Sequence, residues 1–158
     1  MIENRIMIVE DEAIIAADIR SQLEEFGFEV VVCAFSGGQA ITLAEEYKPN
    51  LILMDIVLRG GIDGITAAKT IIENFRIPIV FLTAYSDAAT LNRAKLVGAY
   101  GYLVKPFRSV ELHATIEVAL YKYQLEKKLN NSEQWFAKTL LCLSDGVIAT
   151  DAEAKVRL

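Results

Sequence analysis

Residues 51–54 of this chain, Leu51-Ile52-Leu53-Met54, form an unbroken apolar run that stops at a carboxylate, Asp55, before Ile56, Val57 and Leu58. A run this short, with no polar alternation, reads as a strand buried on both faces, as in a parallel sheet covered by helices. In an open parallel sheet the carboxyl ends of the strands form the reactive edge, so Asp55 stands where a buried strand meets solvent. An Asp in that place can also simply cap the next helix. The run alone leaves both readings open.

The rest of the chain repeats the pattern. Arg5 to Val9 is apolar and ends in Glu10, Asp11 and Glu12; Ile14, Ile15, Ala17, Ile19, Leu23 and Phe26 then follow at helical spacing, closed by Gly27. Phe28 to Ala34 reads as a second strand, broken by Ser36-Gly37-Gly38, and Ala40, Ile41, Leu43, Ala44 and Tyr47 make a helix that stops before Pro49. Beyond Asp55 come a Gly-rich turn, a helix through Ile65, Ala68, Ile71 and Ile72, a fourth strand from Pro78 to Leu82 ending at Thr83, and a helical stretch from Asp87 to Val97. Tyr100 to Val104 is a fifth strand, ending at Lys105-Pro106. Strands and helices alternating at this spacing predict an α/β fold with a doubly wound, five-stranded parallel sheet and right-handed crossovers.

From Ser109 a helix begins whose apolar positions Leu112, Ile116, Val118, Leu120, Tyr123, Leu125 and Leu129 continue past any length the sheet could cover. Trp135, Phe136, Leu140 and Leu143 resume the stripe, which suits an extended amphipathic helix that pairs with another copy as a homodimer. Asp145-Gly146 ends it, and Val147 to Thr150 with Val156 to Leu158 read as a short β-hairpin. We therefore expect three segments: residues 1–124, a linker helix over 125–143, and a short piece over 144–158.

Composition narrows the function classes. The chain has 158 residues, 53% of them hydrophobic, which supports one real core and a modest appendage. A net charge of −5 offers no electrostatic footprint for a nucleic-acid backbone, so no nucleic-acid partner is expected. Cys33 and Cys142 lack metal-ligand spacing and are expected in the core, in a reducing cytoplasm. The N-terminus is unlike a secretory signal and no apolar run approaches the ~20 residues of a membrane span, so we expect a soluble, cytoplasmic chain without membrane contact. The lone His113 is expected at the surface, away from the acidic edge.

The strand ends gather Glu10 and Asp11, Asp55, Thr83 and Lys105 along one edge of one sheet. Three carboxylates crowded in a partly dry cleft repel one another, so the arrangement makes sense around a hard divalent cation, and Mg2+ with oxygen ligands and waters fits best.

The stretches Val9-Glu10-Asp11-Glu12, Leu53-Met54-Asp55-Ile56, Phe81-Leu82-Thr83-Ala84 and Tyr102-Leu103-Val104-Lys105-Pro106-Phe107 resemble, in order and separation, the motifs of the response-regulator receiver domain. The resemblance implies a flavodoxin-like sheet of strand order 2-1-3-4-5 and a phosphoacceptor module that switches conformation. Asp55 would be the nucleophile, taking a phosphoryl group from the phosphohistidine of a histidine kinase or phosphotransfer protein. Asp11, Asp55 and the backbone carbonyl of Val57 would bind Mg2+, with Glu10 acting through water; Lys105 and Thr83 would hold phosphoryl oxygens. Thr83 and Tyr102 would form the switch, and Val57 and Tyr85, flanking the path of the attacking water, would tune dephosphorylation. The family often carries a Pro in the loop after the phosphorylated Asp, whereas Arg59-Gly60-Gly61 stands here with one residue more, so a more mobile loop is expected.

Residues 135–151 also resemble the entry helix and first strand of a PAS sensory domain, which would make 144–158 its truncated start in a longer protein. Two other classes share this sheet. An aspartyl-nucleophile phosphatase or phosphotransferase wants a second Asp two residues after the nucleophile, where this chain has Val57. A flavin-binding domain cradles a phosphate after its first strand, which Glu10-Asp11-Glu12 would repel.

Overall fold

The computed structural model describes residues 4–84 and 88–146. Five strands, β1 (Arg5–Val9), β2 (Glu29–Ala34), β3 (Leu51–Asp55), β4 (Ile79–Thr83) and β5 (Gly101–Val104), pair in parallel in the order β2-β1-β3-β4-β5. Five helices intervene or follow: α1 (Ala13–Glu25), α2 (Gly37–Tyr47), α3 (Gly64–Phe75), α4 (Ala88–Val97) and α5 (Ser109–Gly146). The sheet and its strand order are those expected. The β-hairpin expected over 147–158 lies outside the described residues, as do Tyr85, the side chain of Cys142 and all of the PAS-like start expected over 144–158 except residues 144–146, which belong to α5.

The continuous apolar strands are explained by their two covered faces. Met7, Val9, Ile52, Met54, Ile79 and Phe81 point to one side, where they meet Ala40, Ala44, Ile65, Ala68, Ile71 and Ala94 of α2, α3 and α4. Ile6, Ile8, Leu51, Leu53, Val80 and Leu82 point to the other, against Ile19 and Leu23 of α1 and Leu112 and Ile116 of α5. Strand side chains alternate between faces, so a run with no polar residue is what two cores demand. β5 is one of the two edge strands, the other being β2, and its outward Val104 is exposed.

Local chemistry sets the helix starts. Ser36 caps α2 by accepting the Gln39 N–H, while the Gln39 side chain accepts the Phe35 N–H at 2.7 Å. Asp63 caps α3 by accepting the Thr66 N–H at 2.8 Å. The cap of α3 is therefore Asp63, and Asp55 is left free for another role.

Two expectations need correction. Ile14 and Ala17 are exposed and the buried stripe of α1 runs through Ala16, Ile19 and Leu23, because the sheet's position, not apolarity alone, selects the covered face. Cys33 is only partly buried, packed at the margin of the α1–α5 core; burial raises its thiol pKa, countered by the nearby Arg20 charge. His113 is at the surface as expected, partly covered by Phe26, on which its ring stacks with centroids 4.3 Å apart.

The chain divides into two compact units, Met1–Lys122 and Tyr123–Leu158, with the 38-residue α5 contributing to both. Among the described residues no helix is long and apolar enough to cross a membrane.

Candidate functional site

The site is assembled at the carboxyl ends of β1, β3, β4 and β5, and backbone hydrogen bonds carry the sheet one residue beyond β1, β3 and β5. The Glu10 N–H bonds to the Ala34 carbonyl at 3.0 Å, the Ile56 N–H to that of Leu82 at 3.1 Å, and the Lys105 N–H to that of Thr83 at 2.7 Å. These bonds fix where each side chain leaves the sheet. Glu10, Asp11 and Asp55 offer one carboxylate oxygen each within 4.8 Å of one another.

Glu10 is 1% and Asp55 7% exposed, so both acids are drawn almost wholly out of water. Lys105, anchored at the end of β5 and followed by a cis bond to Pro106, places its Nζ 2.8 Å from Glu10 Oε1 and 2.8 Å from Asp55 Oδ2. The other Asp55 oxygen, Oδ1, accepts the Val57 N–H at 3.0 Å, and Glu10 Oε2 accepts the Glu12 N–H at 3.2 Å. Burial pushes the Glu10 carboxyl up to about 7; the Lys105 ammonium works against that rise and the Asp55 carboxylate adds to it. Burial alone would lower the Lys105 pKa, but its bonds to Asp55 and Glu10 prevail and hold it above its usual value.

Asp11 is held differently. Its Oδ2 accepts the Arg59 N–H at 3.0 Å and lies 3.4 Å from Arg59 Nε, a contact across 48 residues of sequence. Nothing in the sequence pattern pairs these two. A mobile loop is expected around Arg59, yet the loop has definite anchor points: Leu58 is buried in the core, the Ile62 carbonyl lies against Gly37 of α2, and Asp63 both caps α3 and bonds Arg93 of α4 at 2.9 Å. Gly64 is the tightest point. Its N–H bonds to the Ile56 carbonyl at 2.9 Å, and a Cβ there would overlap the Asp55 carbonyl oxygen, so only glycine lets α3 begin directly beneath the site.

Thr83 is buried at the end of β4, and its hydroxyl donates to the Ala84 carbonyl at 3.2 Å. Tyr102, on β5, is partly exposed; its hydroxyl donates to the Ala94 carbonyl of α4 at 3.2 Å, and its ring lies 6.0 Å from that of Phe81. Partial burial raises its pKa. The Val57 side chain is 74% exposed, so at this position the backbone faces the site and the side chain faces water. The structure thus gathers Glu10, Asp11, Asp55, Lys105 and Thr83 at one edge and leaves Tyr102 on the flank bordering α4. Sequence reasoning does not single out Arg59, Asp63 and Gly64, which pin the loop; the only signal is the Gly-rich turn that contains them.

Three carboxylates supply hard oxygen donors, the set that suits Mg2+ rather than a softer metal. Chemically the edge offers a carboxylate whose two oxygens are oriented by separate donors, a mobile ammonium beside it, and a buried hydroxyl on the neighbouring strand.

Comparison with known proteins agrees. A family model described as the response regulator receiver domain matches residues 6–117. The transcriptional regulatory protein PdtaR of Mycobacterium tuberculosis is 42% identical over 123 residues, an alignment covering 78% of this chain and 60% of PdtaR. The phyllosphere-induced regulator PhyR of Methylorubrum extorquens is 34% identical over 124 residues, covering 78% of this chain and 46% of PhyR. The chain therefore spans only about half the length of these curated relatives. Among solved structures, the signal receiver domain of a modulated diguanylate cyclase from Desulfovibrio desulfuricans G20 superposes with a TM-score of 0.75 at 38% identity, covering 79% of this chain and 99% of that one. The N-terminal domain of a response regulator/sensory box/GGDEF three-domain protein from Carboxydothermus hydrogenoformans gives 0.70 at 35% identity, covering 77% and 98%.

Proposed function

This chain belongs to the response regulator receiver family, a phosphoacceptor module of two-component signalling, and on that premise we propose that Asp55 is the residue that takes the phosphoryl group. The observation that carries the reading is the Asp55 carboxylate itself: buried at the end of β3, grouped with Glu10 and Asp11, and bonded through Oδ2 to Lys105 Nζ at 2.8 Å.

The reaction follows from these positions. An Asp55 carboxylate oxygen attacks the phosphorus of a phosphohistidine in line; the new O–P bond forms as the P–N bond breaks, and the histidine nitrogen keeps the electron pair. A carboxylate needs no base to become a nucleophile, so the protein's work is positioning and charge neutralisation. The Val57 N–H holds Asp55 Oδ1 and fixes the rotation of the carboxylate. Lys105, already touching Oδ2, is in reach of a phosphoryl oxygen attached there, and Thr83 can exchange its bond to the Ala84 carbonyl for one to another. Mg2+, held by Asp11, Asp55 and the Val57 carbonyl with Glu10 through water, would supply the remaining neutralisation of the phosphoryl charge.

Movement of Thr83 toward the phosphoryl group empties space beside β5, and Tyr102 is the side chain placed to follow by releasing the Ala94 carbonyl. Such an exchange of hydrogen bonds is a bistable element biased by one new dianion. Val57, beside the nucleophile, would set the lifetime of the acyl phosphate through what it offers an attacking water; Tyr85, given the same role by the family resemblance, lies outside the described residues.

The donor is a histidine kinase or phosphotransfer protein, and the setting is cytoplasmic. In the second unit Leu125, Leu129 and Phe136 stand exposed at spacings of one and two helical turns, which supports pairing with a second copy as a homodimer. A receiver domain, a linker and the start of a PAS domain are the order we propose for residues 1–124, 125–143 and 144–158. The Carboxydothermus relative, whose receiver precedes a sensory box, supports that order.

The test is treatment with acetyl phosphate and Mg2+ followed by mass spectrometry. One added phosphoryl group, mapped to Asp55, is expected; labelling elsewhere, or none with a phosphohistidine donor either, sinks the assignment.

A further inference from the structure

Of the three acids in the cluster, only Asp11 carries its own private cation. Lys105 serves Glu10 and Asp55; the Asp11 carboxylate is met by Arg59 twice, through the backbone N–H at 3.0 Å and through Nε at 3.4 Å, both on Oδ2. The Arg59 side chain is 79% exposed, whereas that of Lys105 is 22% exposed. We propose that Arg59 is a built-in competitor for the divalent cation at Asp11, and that its guanidinium must swing into solvent for the ion to bind. This rests on the reading that Glu10, Asp11 and Asp55 take Mg2+.

Charge and geometry both support it. With all three carboxylates ionised, Lys105 and Arg59 leave the cluster one net negative charge; with Arg59 withdrawn it has two, and attracts a dication more strongly. Mg2+ demands short oxygen contacts of ~2.1 Å, and its charge is unfavourable beside a guanidinium on the same oxygen, so the two cations exclude one another at Oδ2. The backbone N–H bond can persist because it turns no net charge toward the ion. It keeps Asp11 oriented while the side chain leaves. Release costs little, since an exposed ion pair is worth little to the fold. Arg59 therefore sets the affinity of metal loading without deciding whether it occurs.

Isothermal titration of Mg2+ into the full chain, donor absent, tests this with wild type, Arg59→Ala, Arg59→Gln, Arg59→Lys and Asp11→Asn, each checked for the wild-type circular dichroism spectrum. Arg59→Ala and Arg59→Gln should bind Mg2+ about three- to fivefold more tightly, Arg59→Lys should stay near wild type, and the gap should narrow as salt screens the exposed pair. Unchanged or weaker affinity in both neutral variants, with Asp11→Asn still impairing binding, overturns the role of Arg59 and leaves the metal reading intact. Absence of Mg2+ binding by every form overturns both.

Discussion

Two cations lean on the same trio of acids, and they could hardly be held more differently. Lys105 is sheltered at the end of β5 and bridges two buried carboxylates at 2.8 Å each; Arg59 stands on a loop in water and touches one. At Lys105 removal would leave Glu10 and Asp55 facing each other with little solvent between them, an arrangement far costlier than the bond is worth. At Arg59 solvent replaces what is lost. The buried side of the cluster is thus machinery for the reaction, and the rim is where its strength can be adjusted without disturbing the fold.

The largest effect expected on the buried side is at Asp55. Asp55→Asn keeps the shape and the bond from the Val57 N–H but removes the nucleophile, so acetyl phosphate with Mg2+ should add nothing detectable by mass spectrometry. Undiminished labelling would move the reaction to another acid. Next comes Lys105→Met, which removes the ammonium while keeping much of its length. Loss of a positioned donor of this kind slows transfer by about a hundredfold or more, read as the rate of acyl phosphate formation. The Glu10 carboxyl, already at about 7, should rise further without its cation. If Lys105→Met were as mild as Arg59→Ala, the contrast between the two cations would collapse.

The buried half of this contrast is legible in the amino-acid sequence because it is written in strands. Buried parallel strands must be apolar on both faces, so the carboxylates at their ends stand out, and Glu10, Asp11, Asp55, Thr83 and Lys105 can all be picked from the sequence alone. Arg59 cannot, because its contact with Asp11 joins two loop residues 48 positions apart and leaves no periodic trace. The exposure of Ile14 is hidden for a related reason: helical spacing marks two adjoining faces of α1 as apolar, and only the sheet selects between them. Gly64 is legible as a turn residue but not as the glycine that lets α3 start against the Asp55 carbonyl, since close approach is a tertiary fact.

On the rim, Val57 turns its backbone to Asp55 and its side chain to water, and an apolar group there cannot orient an attacking water. The acyl phosphate should therefore be long-lived, and Val57→Asn should shorten its lifetime about tenfold once donor is removed in Mg2+ buffer. Adding Tyr85→Glu should not reverse that direction. A wild-type decay faster than that of both variants would show that another group holds the water.

The smallest effect concerns the anchor at the far end of the same loop. Asp63 accepts the Thr66 N–H as the cap of α3 and bonds Arg93, and although partial burial works the other way, those bonds prevail and hold its carboxyl below the usual 3.8. Because the folded pKa is depressed, the stability it contributes is fully present above the unfolded value and is lost as pH falls through the lower folded one. Asp63→Ala should cost about 1 kcal/mol at neutral pH by removing the cap. Asp63→Asn keeps a capping oxygen and gives up only the charge, and because the bridge to Arg93 is partly exposed and screened, it should cost a few tenths of that. Urea unfolding at neutral pH separates the two variants, and repeating it at a pH below the folded pKa of Asp63, itself lower than 3.8, should erase most of the difference between wild type and Asp63→Asn. Equal losses in both variants at neutral pH would mean that the bridge from α3 to α4, not the cap, anchors the loop that carries Arg59.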